Sequence, residues 1–179
     1  MISLQQRSIA HFDLDCFFVS VECLKDSRLK GKPLLVGGHG DRAVVAACSY
    51  EARRYGIHSA MPMKTALKLC PHAIVRSGDM ERYSELSRQV TEIIADGAPL
   101  YEKSSIDEFY LDLTGMEKYF GSLKWTSELR QQIMRETGLP ISLGLASNKM
   151  VSKVATNEAK PNGQMGIHFG SEKSFPAPM

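Results

Sequence analysis

Four acidic side chains stand where apolar residues would be expected. Asp13 and Asp15 interrupt "SIAHFDLDCFFVSVE" (residues 8–22), and Asp107 and Glu108 interrupt "SSIDEFYLDLTG" (residues 104–115). Desolvating a carboxylate is costly, so an Asp inside a strand is seldom buried without a partner or a metal. Asp15 has a simple explanation, since it precedes a helical pattern and can cap it. Asp13 belongs to the strand itself and has none.

Asp107 and Glu108 are adjacent, and neighbouring side chains in a regular strand point to opposite faces. For both to meet one metal the pair must sit at a bend or a strand start. Asp107 alone could bind instead, or the two could be exposed acids of a hairpin turn. Taken together, Asp13, Asp107 and Glu108 at the ends of neighbouring strands could hold two Mg2+ ions roughly 3.5–4 Å apart, which activates an attacking oxygen and neutralises a leaving phosphate. Magnesium suits such a site because it prefers a few carboxylates plus waters and substrate phosphates.

Cations are at hand for those phosphates. Tyr50 and Arg53 lie three apart in "YEARR", on one helix face, where a hydroxyl and a guanidinium could grip a triphosphate. Lys149, Lys153 and Lys160 fall within about 40° of one another on a helical wheel, with Pro161 ending the helix. A lysine in a last turn also complements the helix dipole, so Lys160 has two readings.

These groups need a scaffold. The pattern predicts a strand over 8–14, a helix over 15–25, strands at "KPLLVGG" and "AVVAACS", and short helices at "YEARRYG" and "MKTALKLC". A strand at "AIVRS" follows. Met80, Tyr83, Leu86, Val90, Ile93 and Ile94 then recur at helical spacing over 79–96. A strand pair at "YEKSS" and "DEFYLDL", a helix over 125–136, a strand "ISLGLA", a helix over 148–159 and a strand "QMGIHF" complete the order. Strands and helices do not alternate regularly, so the class is α+β. The Pro-rich tail "SEKSFPAPM" closes no domain, and the chain is expected to be cut there from a longer one.

A chain of 179 residues with 43% hydrophobic and 23% charged residues can bury a core as one domain or a domain with an inserted lobe. No apolar run could span a bilayer and no signal pattern opens the chain, so a cytoplasmic protein without a membrane is expected. Cys16, Cys23, Cys48 and Cys70 lack a Cys-x-x-Cys pair and read as reduced, mostly packed thiols. The net charge of +2 demands no nucleic acid, but a lysine strip beside an acidic centre suits a phosphate-bearing substrate; a solvated helix face would look similar.

Five segments, "HFDLDCFFVSVE", "ACSYEARRYGI", "MPMKTALKLCP", "SSIDEFYLDLTG" and "GLASNKMVSKVATNEAKPNGQ", occur in an order and at spacings that resemble the Y-family translesion DNA polymerases, bacterial DNA polymerase IV type. The resemblance runs from about residue 8 to 169. It implies a ferredoxin-like palm (1–16 and 79–179) with an inserted small fingers lobe (17–78), and a thumb and little finger that this chain lacks. It implies nucleotidyl transfer from a dNTP to a primer 3′-OH with two Mg2+ ions, on primer-template DNA, with a sliding clamp recruited through a C-terminal region. Position by position it places the metal ligands on Asp13, Asp107 and the Leu14 carbonyl, and the adjoining catalytic acid on Glu108. Phe17 and Phe18 match the aromatics under the nucleotide sugar, with Phe18 as steric gate, and Tyr50, Arg53 and Lys160 match the triphosphate contacts.

Two departures stand out. Ala47 replaces a common hydroxyl residue three before Tyr50, which weakens the expected grip on triphosphate, and Phe109 replaces a common alanine. Two other readings remain open: a haloacid-dehalogenase-type phosphatase, which also opens with a strand and Asp-x-Asp, and a catalytically inactive polymerase-like scaffold in DNA repair.

Overall fold

In the computed structural model, residues 6–116 and 121–167 are described. The tail "SEKSFPAPM" and the end of the segment "QMGIHF" lie outside them. The elements are β1 (Ile9–Leu14), α1 (Phe17–Lys25), β2 (Leu34–Gly37), β3 (Val45–Cys48), α2 (Tyr50–Arg53), α3 (Met63–Leu69), β4 (Ile74–Arg76) and α4 (Met80–Gly97). They continue with β5 (Tyr101–Lys103), β6 (Glu108–Asp112), α5 (Ser122–Thr137), β7 (Ile141–Ala146), α6 (Lys149–Ala159) and β8 (Gln164–Gly166). The chain divides into two compact units, one of residues 1–15 and 86–179 and one of residues 16–85.

The first unit is built on a five-stranded sheet in the order β5-β6-β1-β7-β8. The neighbours β5–β6, β6–β1 and β1–β7 are antiparallel, and β8 is added parallel to β7 through α6. The run β1-α4-β5-β6-α5-β7 is therefore a split βαββαβ arrangement, the ferredoxin-like topology, with one strand appended.

Period-two alternation divides this sheet into two chemically different faces. Registers Phe12↔Phe109, Ala10↔Leu111, Phe12↔Leu143 and Leu14↔Ile141 make one face apolar, and all these residues are buried. Leu86, Val90 and Ile94 of α4 and Leu129 and Ile133 of α5 are buried as well. The opposite face carries His11↔Tyr110, Asp13↔Glu108, Asp13↔Ser142 and His11↔Gly144. Helix α6 lies on this polar face, joined to it by the Thr156 hydroxyl, which lies 2.7 Å from the His11 Nδ1 and 3.0 Å from the His11 carbonyl oxygen.

Gly144 is what lets α6 come so close. A Cβ built there would collide with the Ser152 carbonyl oxygen and the Thr156 backbone nitrogen, neither of which is a movable side-chain tip. Phe109, unexplained by sequence, points to the apolar face and away from Glu108, with none of its surface exposed. The Lys103 ammonium sits 5.5 Å from its ring centroid and donates to the Ser87 and Thr91 hydroxyls of α4, so the ring fills core volume and carries a cation–π contact.

The second unit holds a three-stranded sheet, β3-β2-β4, antiparallel between β2 and β3 and parallel between β2 and β4. Leu35 faces a cluster with Val45, Cys48, Ile57 and Ala66, while Leu34 and Val36 face a second one with Val19 and Leu29. None of the four cysteines forms a disulfide; Cys48 and Cys70 are buried and Cys16 and Cys23 half-buried.

Gly144→Ala should cost about 3 kcal/mol of stability in urea unfolding, because the added methyl can be relieved only by moving the α6 backbone. A loss below about 0.5 kcal/mol would show that α6 does not rest on that glycine.

Candidate active site

The pairing of β1 with β6 sets Asp13 directly opposite Glu108 on the polar face. Asp107 lies in a bend immediately before β6, and Glu108 opens the strand, the bend-and-start arrangement that adjacent acids need. The Leu14 N–H donates to the Asp107 carbonyl at 3.0 Å, which holds that bend against the end of β1. The Asp107 carboxylate accepts from the Ser105 hydroxyl at 2.8 Å.

Helix α6 supplies the counter-charges. Lys160 Nζ is 2.9 Å from Asp13 Oδ2, Lys153 Nζ is 3.0 Å from Glu108 Oε1, and Lys149 Nζ is 2.8 Å from Glu102 and over the Tyr110 ring. The lysine stripe is thus a row of ion pairs along one sheet face. Asn148 starts α6, its side chain accepting from the Val151 N–H, and Lys160 ends it as the C-cap.

Asp15 is not the cap of α1. That place is taken by Cys16 in the left-handed region, φ +40°, with no side-chain cap bond. Asp15 is 2% exposed and accepts instead from the Ser142 hydroxyl at 2.8 Å and the Asn162 N–H at 2.5 Å. Arg130 donates to the Asn162 side chain and to the Ile141 carbonyl, both at 2.7 Å, so the segment just after Lys160 is tied at several points.

His11, Asp13 and Glu108 offer ligand atoms that all lie within 4.8 Å of one another. Asp107 is not one of these three. His11 was not singled out from sequence, yet it stands two residues before Asp13 in β1 and so shares its face. It is fully buried, with Nε2 at 2.9 Å from Glu108 Oε1 and Nδ1 at 2.7 Å from Thr156 Oγ1. Hard oxygen donors with cations nearby fit a divalent metal and anionic phosphates better than a closed zinc cage.

The environment sets the charges. Burial lowers the His11 pKa to about 4, leaving a neutral ring at neutral pH. Burial also raises Asp13 to about 6, against the opposing pull of Lys160, with Asp107 and Glu108 adding to the rise. For Glu108 burial pushes upward too, but hydrogen bonds from Lys153 and His11 outweigh it and hold the group below its ordinary value.

The sequence-predicted residues of the second unit form their own arrangement. Phe17 is buried and Phe18 half-buried, and the Phe18 ring stacks on Tyr83 with centroids 4.4 Å apart and planes 15° apart. Tyr83 donates to the buried Glu22 carboxylate at 2.7 Å, which fixes that ring. The Arg53 guanidinium lies over the Tyr50 ring at 5.3 Å, on the single turn of α2. Ser49 caps this turn through the Ala52 N–H, and its hydroxyl also accepts from the Leu34 N–H and donates to the Lys32 carbonyl. Ala47 of β3 packs half-buried against the Val19 and Val36 cluster.

Residues 12–157 match the model of the impB/mucB/samB family, and the chain belongs to that family, that of the Y-family polymerases its motifs resemble. It is 46% identical over 171 residues to a DNA polymerase IV of Treponema denticola, covering 95% of this chain and 43% of that protein. A DNA polymerase IV of Dehalococcoides mccartyi is 47% identical over 175 residues, covering 97% of this chain and 45% of the relative. Among solved structures, DinB from Sulfolobus solfataricus superposes with a TM-score of 0.87 at 31% identity, over 92% of this chain and 49% of that one. An insertion ternary complex of Dbh DNA polymerase gives 0.85 at 31% identity, over 90% and 49%. The chain spans about half the length of these relatives.

A metal ion must displace any proton on Asp13, so with a pKa of about 6 Mn2+ affinity should fall about tenfold per unit below pH 6 and level off above it. Lys160→Met removes the group that lowers Asp13 and should move this midpoint upward. Calorimetric titrations between pH 5 and 7.5 check both, and a midpoint near 4 would show that burial does not govern Asp13.

Proposed function

We propose that this chain is the palm (1–16 and 79–179) and fingers (17–78) portion of a translesion DNA polymerase that acts in the cytoplasm on primer-template DNA with deoxynucleoside triphosphates. The observation that carries this reading is the pair Asp13 and Glu108, opposed on neighbouring strands with Lys160 and Lys153 already at their oxygens. The family membership removes the phosphatase alternative, and the retained acids speak against an inactive scaffold.

Asp13, Asp107, Glu108 and the Leu14 carbonyl would hold two Mg2+ ions. Bound there, the ions supply the Lewis acidity that activates a primer 3′-oxygen and neutralises charge on the transferred phosphate. Glu108, kept ionised by Lys153 and His11, holds negative charge where the cation is needed. Tyr50, Arg53 and Lys160 would grip the triphosphate, the Lys160 ammonium, now 2.9 Å from Asp13, being placed to turn to phosphate. Phe17 and Phe18 lie under the sugar, and the Phe18 ring, braced by Tyr83, excludes a ribose 2′-hydroxyl. A C-terminal region beyond this chain would carry the thumb, the little finger and the contact with a sliding clamp.

Primer extension with Mg2+ and deoxyribonucleotides, in the protein extended to the length of its relatives, tests the activity. Wild type should extend, while Asp13→Ala and Glu108→Ala should not; equal extension by all three would refute the site. Arg53→Ala should raise the apparent KM for the nucleotide by about 30- to 160-fold, the worth of a charged hydrogen bond of about 2–3 kcal/mol, and leave DNA affinity unchanged. Phe18→Ala should admit ribonucleotides while deoxyribonucleotide incorporation survives. A mutant that stays active yet still refuses ribonucleotides would assign the selection elsewhere.

A further inference from the structure

Among the described residues, the two closest donors to Glu108 meet the same oxygen. His11 Nε2 is 2.9 Å from Oε1 and Lys153 Nζ is 3.0 Å from that atom, while among the described residues Oε2 has the Ser105 hydroxyl alone, at 3.5 Å. A carboxylate so bound cannot rotate freely, and the oxygen left over is the one available to a cation. Lys153 is half-exposed and on a flexible stem, so it can leave when another anion arrives. His11 cannot, because it is fully buried in the middle of β1.

The His11 ring is itself oriented. An ionised carboxylate can only accept, so Nε2 must carry the proton and Nδ1 must accept. The single proton of the Thr156 hydroxyl has three acceptors in reach, Nδ1 at 2.7 Å and the His11 and Ser152 carbonyls at 3.0 Å, and the shortest contact makes it the donor to Nδ1; its position is set by α6 seated on Gly144. We infer that His11, oriented by Thr156, is a positioning residue that holds Oε1 of Glu108 so that Oε2 is presented to the catalytic cation, an inference that rests on the metal site proposed above. Outer hydrogen bonds of this kind fix ligand orientation, and their loss commonly lowers metal affinity by about 10- to 100-fold.

The test uses the chain itself, with Mn2+ binding followed by electron paramagnetic resonance in the presence of a deoxynucleoside triphosphate and folding followed by circular dichroism. Folded His11→Leu should bind Mn2+ about tenfold or more weakly, and His11→Gln, which can still donate an N–H toward Oε1, should recover most of that loss. A packing role would not distinguish the two variants in metal affinity. Wild-type affinity in folded His11→Leu, or no recovery in folded His11→Gln, overturns the inference. Should His11→Leu fail to fold, nitrogen-15 spectra of the wild-type imidazole decide: the Nε2–H tautomer supports the orientation, and the Nδ1–H tautomer overturns it. Asp13→Asn separates the two levels. If it binds Mn2+ as wild type does, the metal site itself is wrong, whereas loss in Asp13→Asn with none in His11→Leu overturns only the positioning role.

Discussion

Two carboxylates placed across from each other on paired strands repel, and the register of β1 with β6 imposes that placement on Asp13 and Glu108. The rest of the polar face answers this constraint. The ammonium groups of Lys153 and Lys160 meet Glu108 and Asp13, Asp107 adds its charge at Asp13, and the remaining imbalance is what a cation would relieve. Delivering two lysines to one sheet face requires a helix laid close along it. Gly144 makes room for that helix, and the bonds from Ser142 and Asn162 to the buried Asp15 fasten its exit.

The apolar face is the other half of the same design. Phe12, Phe109, Leu111 and Leu143 supply burial that a face of His, Asp, Glu and Ser cannot, and their dispersion and hydrophobic contacts offset the cost of concentrating charge opposite. Phe109 illustrates the separation. Being one residue from Glu108 in sequence places it on the other side of the sheet, where its bulk strengthens packing and leaves the carboxylates untouched.

Much of this was legible in the sequence. The strand over 8–14, the helix over 79–96 and the α+β class follow from periodicity, a local property, while side-chain direction required only that Asp107 and Glu108 sit at a bend or strand start if both were to meet one metal. The common face of Lys149, Lys153 and Lys160 was equally local. Their partners were not, since Glu102, Glu108 and Asp13 reach them only through sheet pairing and helix docking. Asp15 was misread for a similar reason: a cap is a local guess, whereas its bonds run to Ser142 and Asn162. His11 escaped notice because a lone histidine among apolar residues has no local signature, although its two-residue spacing from Asp13 held the clue.

The contact between Asp15 and Asn162 joins residues 147 positions apart, and that between His11 and Thr156 spans 145. Contacts of such sequence separation close a large loop before they return any energy, which slows folding. Residues 16–85, in contrast, find their sheet partners within a few dozen positions. During synthesis that inserted unit can therefore pair its strands while β1 still waits for β7 and α6, so Asp13 meets Lys160 only after both of those elements have been made. Order of emergence, and not only sequence, separates the birth of the two units.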